Sequence, residues 1–179
     1  MAKVMKGLTA LSFLLTVVFG ALWLTAFQWA DVFTITFGTF FYHFAMRLLV
    51  GYGINAFMRN RADLRKDRYQ LRPFEVRLYK ALKVKKWKST MPTYAPNTFD
   101  PRQHSWEEIA QAMCQAEVVH EVIIVLSFVP LLAAIPFGAF PVFLVTSLLA
   151  AAYDLCFVVM QRYNRPRIVK LINKERVAK

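Results

Sequence analysis

Residues 122–153 read VIIVLSFVPLLAAIPFGAFPVFLVTSLLAAAY and contain no charged side chain. One helix of this length would be about 48 Å long at ~1.5 Å per residue, whereas the hydrocarbon core of a bilayer is about 30 Å thick. The segment PFGAFP, residues 136–141, brings two prolines and one glycine near the middle of the stretch, a composition typical of a turn. The stretch therefore predicts two transmembrane helices, about residues 118–135 and 140–160.

Two more apolar stretches, about residues 7–30 and 32–58, precede it and are separated by Asp31. The first follows two lysines, as in a signal peptide, but it is too long and lacks a small-residue cleavage site before Asp31. Hydrophobic residues make up 57% of the chain, compared with about 45–50% in soluble domains. We predict an all-α membrane protein with about four transmembrane helices in a single domain of residues 1–179.

The distribution of basic residues predicts how these helices are oriented. Lys and Arg number 2 before the first span, 13 in the loop of residues 59–117 and 7 in the tail of residues 161–179, and the two short connections have none. Because cytoplasmic loops are enriched in Lys and Arg, we expect this loop and both termini in the cytoplasm and the protein in the cell membrane. Topology and anionic headgroups also account for the net charge of +12, so we expect no nucleic-acid partner.

The long loop contains three local signals. Basic and apolar residues interleave over residues 74–87, which predicts an amphipathic helix at the level of the lipid headgroups. Three prolines in residues 91–101 exclude a continuous helix there. Ser105 followed by Glu107 and Glu108 is typical of a helix start.

Glu117 and His120 are three residues apart and therefore share one helix face. A neutral imidazole can take a proton from an alcohol, so one interpretation makes His120 a general base and Glu117 its orienting carboxylate. The other is that both are polar groups at a helix end, facing headgroups or forming salt bridges. Di-iron bundles carry Glu-x-x-His twice and this chain carries it once, so we predict no metal site. Cys114 and Cys156 have neither metal nor disulfide spacing and are interpreted as small apolar residues.

His43 and Arg47 lie four residues apart in the second span, and Asp154 lies in the fourth. Ionisable groups inside a bilayer are costly, so each needs a functional role or a partner. We expect all three to contact substrate by lining a polar cavity. The alternative is an internal ion pair with Asp154 that holds the helices together.

The string QRYNRPR, residues 161–167, follows the fourth span. Pro166 disfavours helical geometry at Arg165, so we expect the arginines to project from a turn. Guanidinium groups in such a turn suit bidentate capture of phosphate or carboxylate. An ordinary basic flank of a transmembrane helix would have the same composition.

With this string the chain resembles the glycosyl-4,4'-diaponeurosporenoate acyltransferase family, membrane enzymes associated with the last step of staphyloxanthin-type carotenoid synthesis. QRYNRPR matches the family pattern, and VKKWK (residues 84–88) and AEVVH (residues 116–120) are similar to two upstream segments in the same order. The resemblance covers about residues 84–167. The family pattern has Asn at the position of Asp154, so the resemblance implies no role for that residue.

The resemblance implies transfer of a fatty acyl group from acyl-CoA or an acyl carrier protein to a hydroxyl of a lipid-linked glycosyl acceptor, with no other cofactor. His120 would be the general base, with Glu117 beside it. Matched residues of the string would bind substrate or the developing oxyanion: Arg162, Asn164, Arg165 and Arg167. The expected partners are thus membrane lipid, the acyl donor and the acceptor.

Two other functions fit the same sequence. A non-catalytic membrane scaffold or lipid-binding subunit would need no more than the topology already inferred from the basic residues. A lipid-modifying enzyme of another class, such as a methyltransferase or a reductase, would use a nucleotide-type cofactor. The chain has no glycine-rich fingerprint for such a cofactor, and this disfavours a methyltransferase or a reductase.

Overall fold

A computed structural model of the chain describes residues 2–25 and 27–178. Within these residues the chain forms seven α-helices: α1 (Ala2–Thr25), α2 (Ala30–Met58), α3 (Pro73–Ala81), α4 (Val84–Trp87), α5 (Trp106–Leu126), α6 (Ala134–Phe137) and α7 (Phe140–Ala178). Short 3-10 turns cover Asp67–Tyr69, Lys88–Thr90, Pro96–Phe99 and Val129–Ala133.

Four helical segments within the described residues are long and apolar enough to cross a membrane: Ala2–Thr25, Ala30–Met58, Trp106–Phe137 and Phe140–Ala178. The predicted all-α architecture with about four transmembrane helices is therefore confirmed. The third segment begins at Trp106, where Ser105 caps α5, so the helix start predicted from Ser105, Glu107 and Glu108 is confirmed. The Glu108 amide donates to Oγ of Ser105 at 3.3 Å, and the Ser105 amide donates to Oε2 of Glu108 at 2.8 Å.

The helices pack as two antiparallel pairs, α1 against α2 and α5 against α7, which meet where α2 contacts α5. Phe19 of α1 stacks on Phe33 and Phe37 of α2, with ring centroids 4.9 and 5.5 Å apart. At the other end of this pair, Nζ of Lys6 lies 5.9 Å from the ring centroid of Tyr52. The start of α1 thus lies beside the end of α2, from which the basic loop departs. We call this end of the bundle the basic end.

The face of α7 that packs on α5 is a continuous buried stripe with spacings of three and four residues. It consists of Ser147, Ala151, Asp154, Val158, Gln161 and Arg165. This is the spacing of helices that pack side by side at a small crossing angle. Polar residues make up much of the stripe, so the chemistry of the bundle is concentrated between α5 and α7.

The sequence predicted one amphipathic helix over residues 74–87, but the structure divides this segment between α3 and α4. Lys83 adopts a left-handed conformation, with φ of 51°, and this residue separates α3 from α4. The break turns the chain so that Val84 becomes fully buried, whereas Phe74, Leu78 and Leu82 remain exposed on the other side. Burial of Val84 thus outweighs helical continuity.

Pro166 does not end the fourth transmembrane helix, and the predicted turn at residues 161–167 is wrong. α7 continues through Pro166 to Ala178. A proline inside a helix removes one backbone hydrogen bond and costs about 3 kcal/mol. Here Gln161 and Arg165, in the turn that precedes Pro166, lie on the buried stripe, and their packing against α5 holds the helix together.

Candidate active site

Two polar layers lie near the basic end of the bundle, and α7 contributes to both. The histidine–aspartate pair consists of His120 and Asp154. The arginine–glutamate network consists of Glu75, Glu117, Arg162 and Arg165. At ~1.5 Å per residue, Asp154 lies about 21 Å and Arg162 about 33 Å along α7 from its first residue. Since the hydrocarbon core is about 30 Å thick, the pair lies within this depth and the network at its edge.

The imidazole of His120 is fixed by two contacts with α7. Nδ1 lies 2.8 Å from Oδ1 of Asp154, and the ring stacks on Phe157 with centroids 4.5 Å apart and planes 6° from parallel. Within the described part of the chain, Nε2 forms no hydrogen bond. The side chain is 21% exposed, so this nitrogen is accessible to a ligand.

The sequence predicted Glu117 as the carboxylate that orients His120, but Asp154 takes this place. Glu117 is fully buried and contacts two guanidinium groups instead. Although His120 and Glu117 share a face of α5, the opposing stripe of α7 presents Asp154 to the former and arginines to the latter. The partner of each residue is thus set by the facing helix.

Arg47 binds the other oxygen of Asp154. It donates through Nη2 to Oδ2 of Asp154 and through Nη1 to the backbone carbonyl of His43 at 3.1 Å. The Asp154 side chain is 2% exposed, and this guanidinium offsets its charge inside the bundle. The ion pair considered as an alternative in the sequence is therefore present, and it joins α2 to α7.

His43 and Ser147 are buried without hydrogen-bond partners. Both ring nitrogens of His43 and Oγ of Ser147 have no partner among the described residues, and His43 is only 8% exposed. His43 lies one helical turn from Arg47, and Ser147 lies two turns from Asp154. Unpaired buried polar groups are costly, and the packing of the described helices leaves both of these groups unsatisfied.

The arginine–glutamate network joins the basic loop to the transmembrane helices. Arg162 donates to Glu75 of α3, through Nε to Oε1 at 2.5 Å and through Nη2 to Oε2 at 2.8 Å. It also donates through Nη1 to Oε1 of Glu117 at 2.6 Å, while Arg165 donates to the other oxygen of Glu117. Both carboxylates are almost completely buried, so the ion pairs hold the loop against α5 and α7.

Glu75 is ionised in this network. Burial alone would raise its pKa, but hydrogen bonds from Arg162, the Arg72 amide and the Tyr79 hydroxyl outweigh burial and lower that pKa to about 2. The Tyr79 hydroxyl donates to Oε1 at 2.7 Å and the Arg72 amide donates to Oε2 at 2.7 Å. The sequence interpretation did not single out Glu75. Its position as the third residue of α3, after Pro73, is a helix-capping signal.

Arg162 and Arg165 are engaged by protein groups. All five N–H groups of Arg162 have acceptors, since Nη1 also donates to the Arg68 carbonyl at 2.8 Å and Nη2 to the Gln70 carbonyl at 3.0 Å. Arg165 is 3% exposed and donates through Nε to the Tyr69 carbonyl at 3.1 Å. Substrate binding by Arg162, as predicted from the sequence, would require some of these bonds to break.

The other two residues predicted from the string lie next to the VKKWK segment. Oδ1 of Asn164 accepts a hydrogen bond from Nζ of Lys88. Arg167 donates through Nη2 to the Tyr163 hydroxyl at 2.7 Å, and its guanidinium lies 4.4 Å from the Tyr163 ring centroid. Nζ of Lys88 lies 5.2 Å from the same ring. Two segments that are far apart in the sequence thus meet at the basic end.

Of the two cysteines, Cys114 lies beside the arginine–glutamate network. Cys114 is buried and Cys156 is partly exposed, both with free thiols, and Sγ of Cys114 accepts a hydrogen bond from Arg165 at 3.4 Å. A search of the described residues found no group of three or more His, Cys, Asp and Glu side chains arranged to hold a metal ion.

A comparison with known protein families finds a match, and the matched region includes most of this site. A family model described as glycosyl-4,4'-diaponeurosporenoate acyltransferase matches residues 65–174, more than half of the chain. The matched region contains His120 and Asp154, the arginine–glutamate network and all three motifs on which the sequence resemblance was based. No curated protein and no solved structure matches the chain.

Acyl transfer is the activity of the matched family, and this favours an enzyme over the non-catalytic scaffold and over the other classes of lipid-modifying enzyme. The suspected resemblance is confirmed. With its four apolar helices and its match over residues 65–174, the chain belongs to the glycosyl-4,4'-diaponeurosporenoate acyltransferase family and is a membrane acyltransferase.

Proposed function

We propose that this protein transfers a fatty acyl group from a thioester donor to a hydroxyl of a lipid-linked glycosyl acceptor, with His120 as the general base. The observation that carries the proposal is the 2.8 Å contact between Nδ1 of His120 and Oδ1 of Asp154. A carboxylate at Nδ1 holds the imidazole in the tautomer whose Nε2 has a free lone pair. That nitrogen is the atom that would accept the proton of the attacking hydroxyl.

The reaction balances with this one base. The acceptor oxygen attacks the thioester carbonyl carbon while its proton moves to Nε2 of His120. The tetrahedral intermediate then collapses, the carbon–sulfur bond breaks, and the imidazolium returns the proton to the leaving thiolate. The products are an ester and a free thiol, and Asp154 stabilises the transient positive charge on the imidazolium.

The position of the pair suits an acceptor that is itself a lipid. Within the hydrocarbon depth, α1 and the outer faces of α2 and α7 expose apolar side chains to lipid, whereas His43, Arg47 and Ser147 provide polar groups inside the bundle. We assign these three residues, with Asp154, to the pocket that receives the acceptor headgroup. The acyl chains would then extend along the apolar helix surfaces.

For the string QRYNRPR the geometry supports two different roles. Arg162 and Arg165 serve as positioning residues, because their ion pairs hold Glu75 and Glu117 and thereby the loop over the site. Asn164 and Arg167 lie nearer the surface and remain candidates for contact with the donor, acyl-CoA or an acyl carrier protein. The basic end would face the cytoplasm, where such donors occur, and the protein would lie in the cytoplasmic membrane with both termini inside.

The test is acyl transfer by purified protein in nanodiscs, with labelled acyl-CoA and a glycolipid acceptor. His120→Gln, which keeps the size and polarity of the side chain but provides no base, should lower kcat by about 10²–10⁴-fold. His104→Gln is the matched control, because His104 lies in the loop and contacts only the exposed Glu108. Turnover by the His120→Gln variant equal to that of the wild type would remove this residue from the mechanism.

A further inference from the structure

A cleft lies at the basic end, on a different side of α5 from the histidine–aspartate pair. It has a volume of about 690 Å³ and opens between the last turn of α2, the following loop and α5. Its apolar wall includes Ile54, Phe57 and Val118. Its basic rim consists of Arg59, Arg61, Lys66 and Arg68. We call it the basic cleft.

The rim has an excess of positive charge. Arg68 pairs with Glu121, but Arg59, Arg61 and Lys66 take part in no ion pair within the described residues. Asp63, the acidic residue that also lines the cleft, is engaged by the backbone amide of Arg65 at 3.0 Å. The cleft therefore attracts an anion.

The rim is held in an unusual backbone conformation. Arg59 and Asn60 are both left-handed, with φ of 49° and 53°, and such conformations persist in residues other than glycine only where the surroundings fix them. The Asn60 amide donates to Oε1 of Gln115 at 2.7 Å, and Nε2 of Gln115 donates to Oδ1 of Asn55 at 3.1 Å. Gln115 is buried in α5. A buried amide thus holds the turn that places Arg59 and Arg61 at the rim.

The order of the lining indicates the kind of anion. The apolar wall belongs to transmembrane helices, and the basic rim begins where α2 ends. A phospholipid in a bilayer has the same order, with its acyl chains in the hydrocarbon core and its headgroup at the surface. Val125, seven residues after Val118 on the same face of α5, is 69% exposed and extends the apolar track into the membrane. Phe57, which also belongs to the apolar wall, is 87% exposed beside the rim.

An acyl-thioester donor fits the cleft less well. Val118 and His120 are two residues apart on α5, so their side chains point about 160° apart around the helix. A donor with its phosphates in the cleft would have its thioester on the wrong side of α5. We infer that the basic cleft binds the headgroup phosphate of an anionic glycerophospholipid, with its acyl chains along Ile54, Val118 and Val125.

The experiment is native mass spectrometry of the full chain in detergent, titrated with dioleoyl phosphatidylglycerol and, in parallel, with dioleoyl phosphatidylcholine. The wild type should bind phosphatidylglycerol more tightly. Arg61→Gln/Lys66→Gln should weaken that binding about 25-fold, since each basic residue near an anionic headgroup contributes about a factor of five. Both side chains are exposed and unpaired in the described structure, so the variant should fold. Lys66→Gln alone should show about a fivefold loss.

The matched control is Arg77→Gln/Lys80→Gln, which removes the same charge from exposed positions of α3 outside the cleft and should leave the affinity within about twofold of the wild type. An unchanged affinity in the cleft variant, or an equal loss in the control, would overturn the inference. So would displacement of phosphatidylglycerol by coenzyme A, because the cleft would then be a donor site. The outcome does not depend on His120, which the acyl-transfer assay tests separately.

Discussion

His120 on α5 and Asp154 on α7 meet with 2.8 Å between Nδ1 and Oδ1, while Arg47 binds the second carboxylate oxygen of Asp154. Three transmembrane helices thus contribute to one polar cluster inside the bundle. Asp154 has two separable functions in this cluster. Its oxygen orients the imidazole, and its negative charge stabilises both the imidazolium of the proposed reaction and the guanidinium of Arg47.

Substitutions at Asp154 separate these functions. Asp154→Asn keeps an oxygen that can accept a hydrogen bond from Nδ1–H but removes the charge, so we expect kcat to fall about 10-fold. Asp154→Ala removes both the oxygen and the charge and should lower kcat at least about 100-fold. The measurement is kcat for acyl transfer in nanodiscs, with Asp100→Asn in the loop as the control. Equal losses in the two Asp154 variants would show that orientation by this oxygen is unimportant.

The same substitutions should alter stability through Arg47. Removing one partner of a buried ion pair leaves a charge uncompensated and typically costs about 3–5 kcal/mol. Asp154→Asn should therefore lower the Tm in detergent, and Arg47→Gln/Asp154→Asn should recover much of that loss. A double variant less stable than either single variant would indicate that the pair does not act as a unit.

Glu75 makes the attachment of the loop sensitive to acid. Its pKa of about 2 lies below the ordinary value of 4.5, so its contribution is fully present above pH 4.5 and is lost as the pH falls toward 2. The shift corresponds to roughly 3 kcal/mol at neutral pH. Glu75→Gln should lower the Tm at pH 7 and flatten its decline between about pH 4.5 and 3. Glu175→Gln, at an exposed position of α7, should change neither the Tm nor its pH dependence.

Arg162 requires its planar five-donor geometry, because it joins two carboxylates and two backbone carbonyls. Arg162→Lys keeps the charge but cannot reproduce these bonds, so residues 67–75 should detach from α5 and α7. Hydrogen exchange followed by mass spectrometry should show at least about tenfold faster exchange in this segment, equivalent to the ~1.4 kcal/mol cost of one lost charged hydrogen bond. Arg167→Lys loses only a contact with Tyr163 and should leave exchange there unchanged.

The sequence predicted the helices better than the contacts between them. The length of each uncharged stretch and the position of the proline–glycine segment are local properties of the sequence. The four transmembrane helices, and the division of the last apolar stretch at residues 136–141, could therefore be predicted. Two errors arose from tertiary packing. Pro166 stays within α7 because the flanking residues are buried against α5, and Lys83 breaks the amphipathic segment so that Val84 can be buried.

For the candidate active site, the sequence identified several of the residues involved but did not show which of them form pairs. His120 and Glu117 share one face of α5, and a partnership between them was one of the two interpretations that the sequence allowed. Which carboxylate faces the imidazole depends on the register of α7 against α5, and this register is set by a stripe that includes Ser147 and Arg165. Glu75 was missed because its partner lies 87 residues away. No local pattern could identify that contact.

His43 provides the sharpest test of the proposed acceptor pocket, since a ligand-binding role and a structural role predict opposite effects on stability. Both ring nitrogens are buried without partners in the described chain, so the residue costs the protein free energy unless a ligand is bound. Replacing an unsatisfied polar group by an apolar group of similar size is neutral or stabilising. We therefore expect His43→Leu to have a Tm equal to or above that of the wild type, and Ser147→Ala to behave in the same way. The backbone carbonyl that binds Arg47 is unaffected by either change.

If the imidazole binds a hydroxyl of the acceptor, His43→Leu should at the same time lower kcat/KM for the acceptor about 10-fold or more, equivalent to ~1.4 kcal/mol for one lost hydrogen bond in a buried site. The loss should be smaller for the acyl donor, which does not reach this depth in our proposal. His104→Leu in the loop controls for the removal of a histidine. A lower Tm with unchanged kcat/KM would instead make His43 a residue that only packs, and the pocket would then have to be sought elsewhere around His120. A gain of stability together with a loss of kcat/KM for the acceptor is the combination that a binding residue predicts, because the free energy that the unpaired His43 costs is recovered when the acceptor pairs with it.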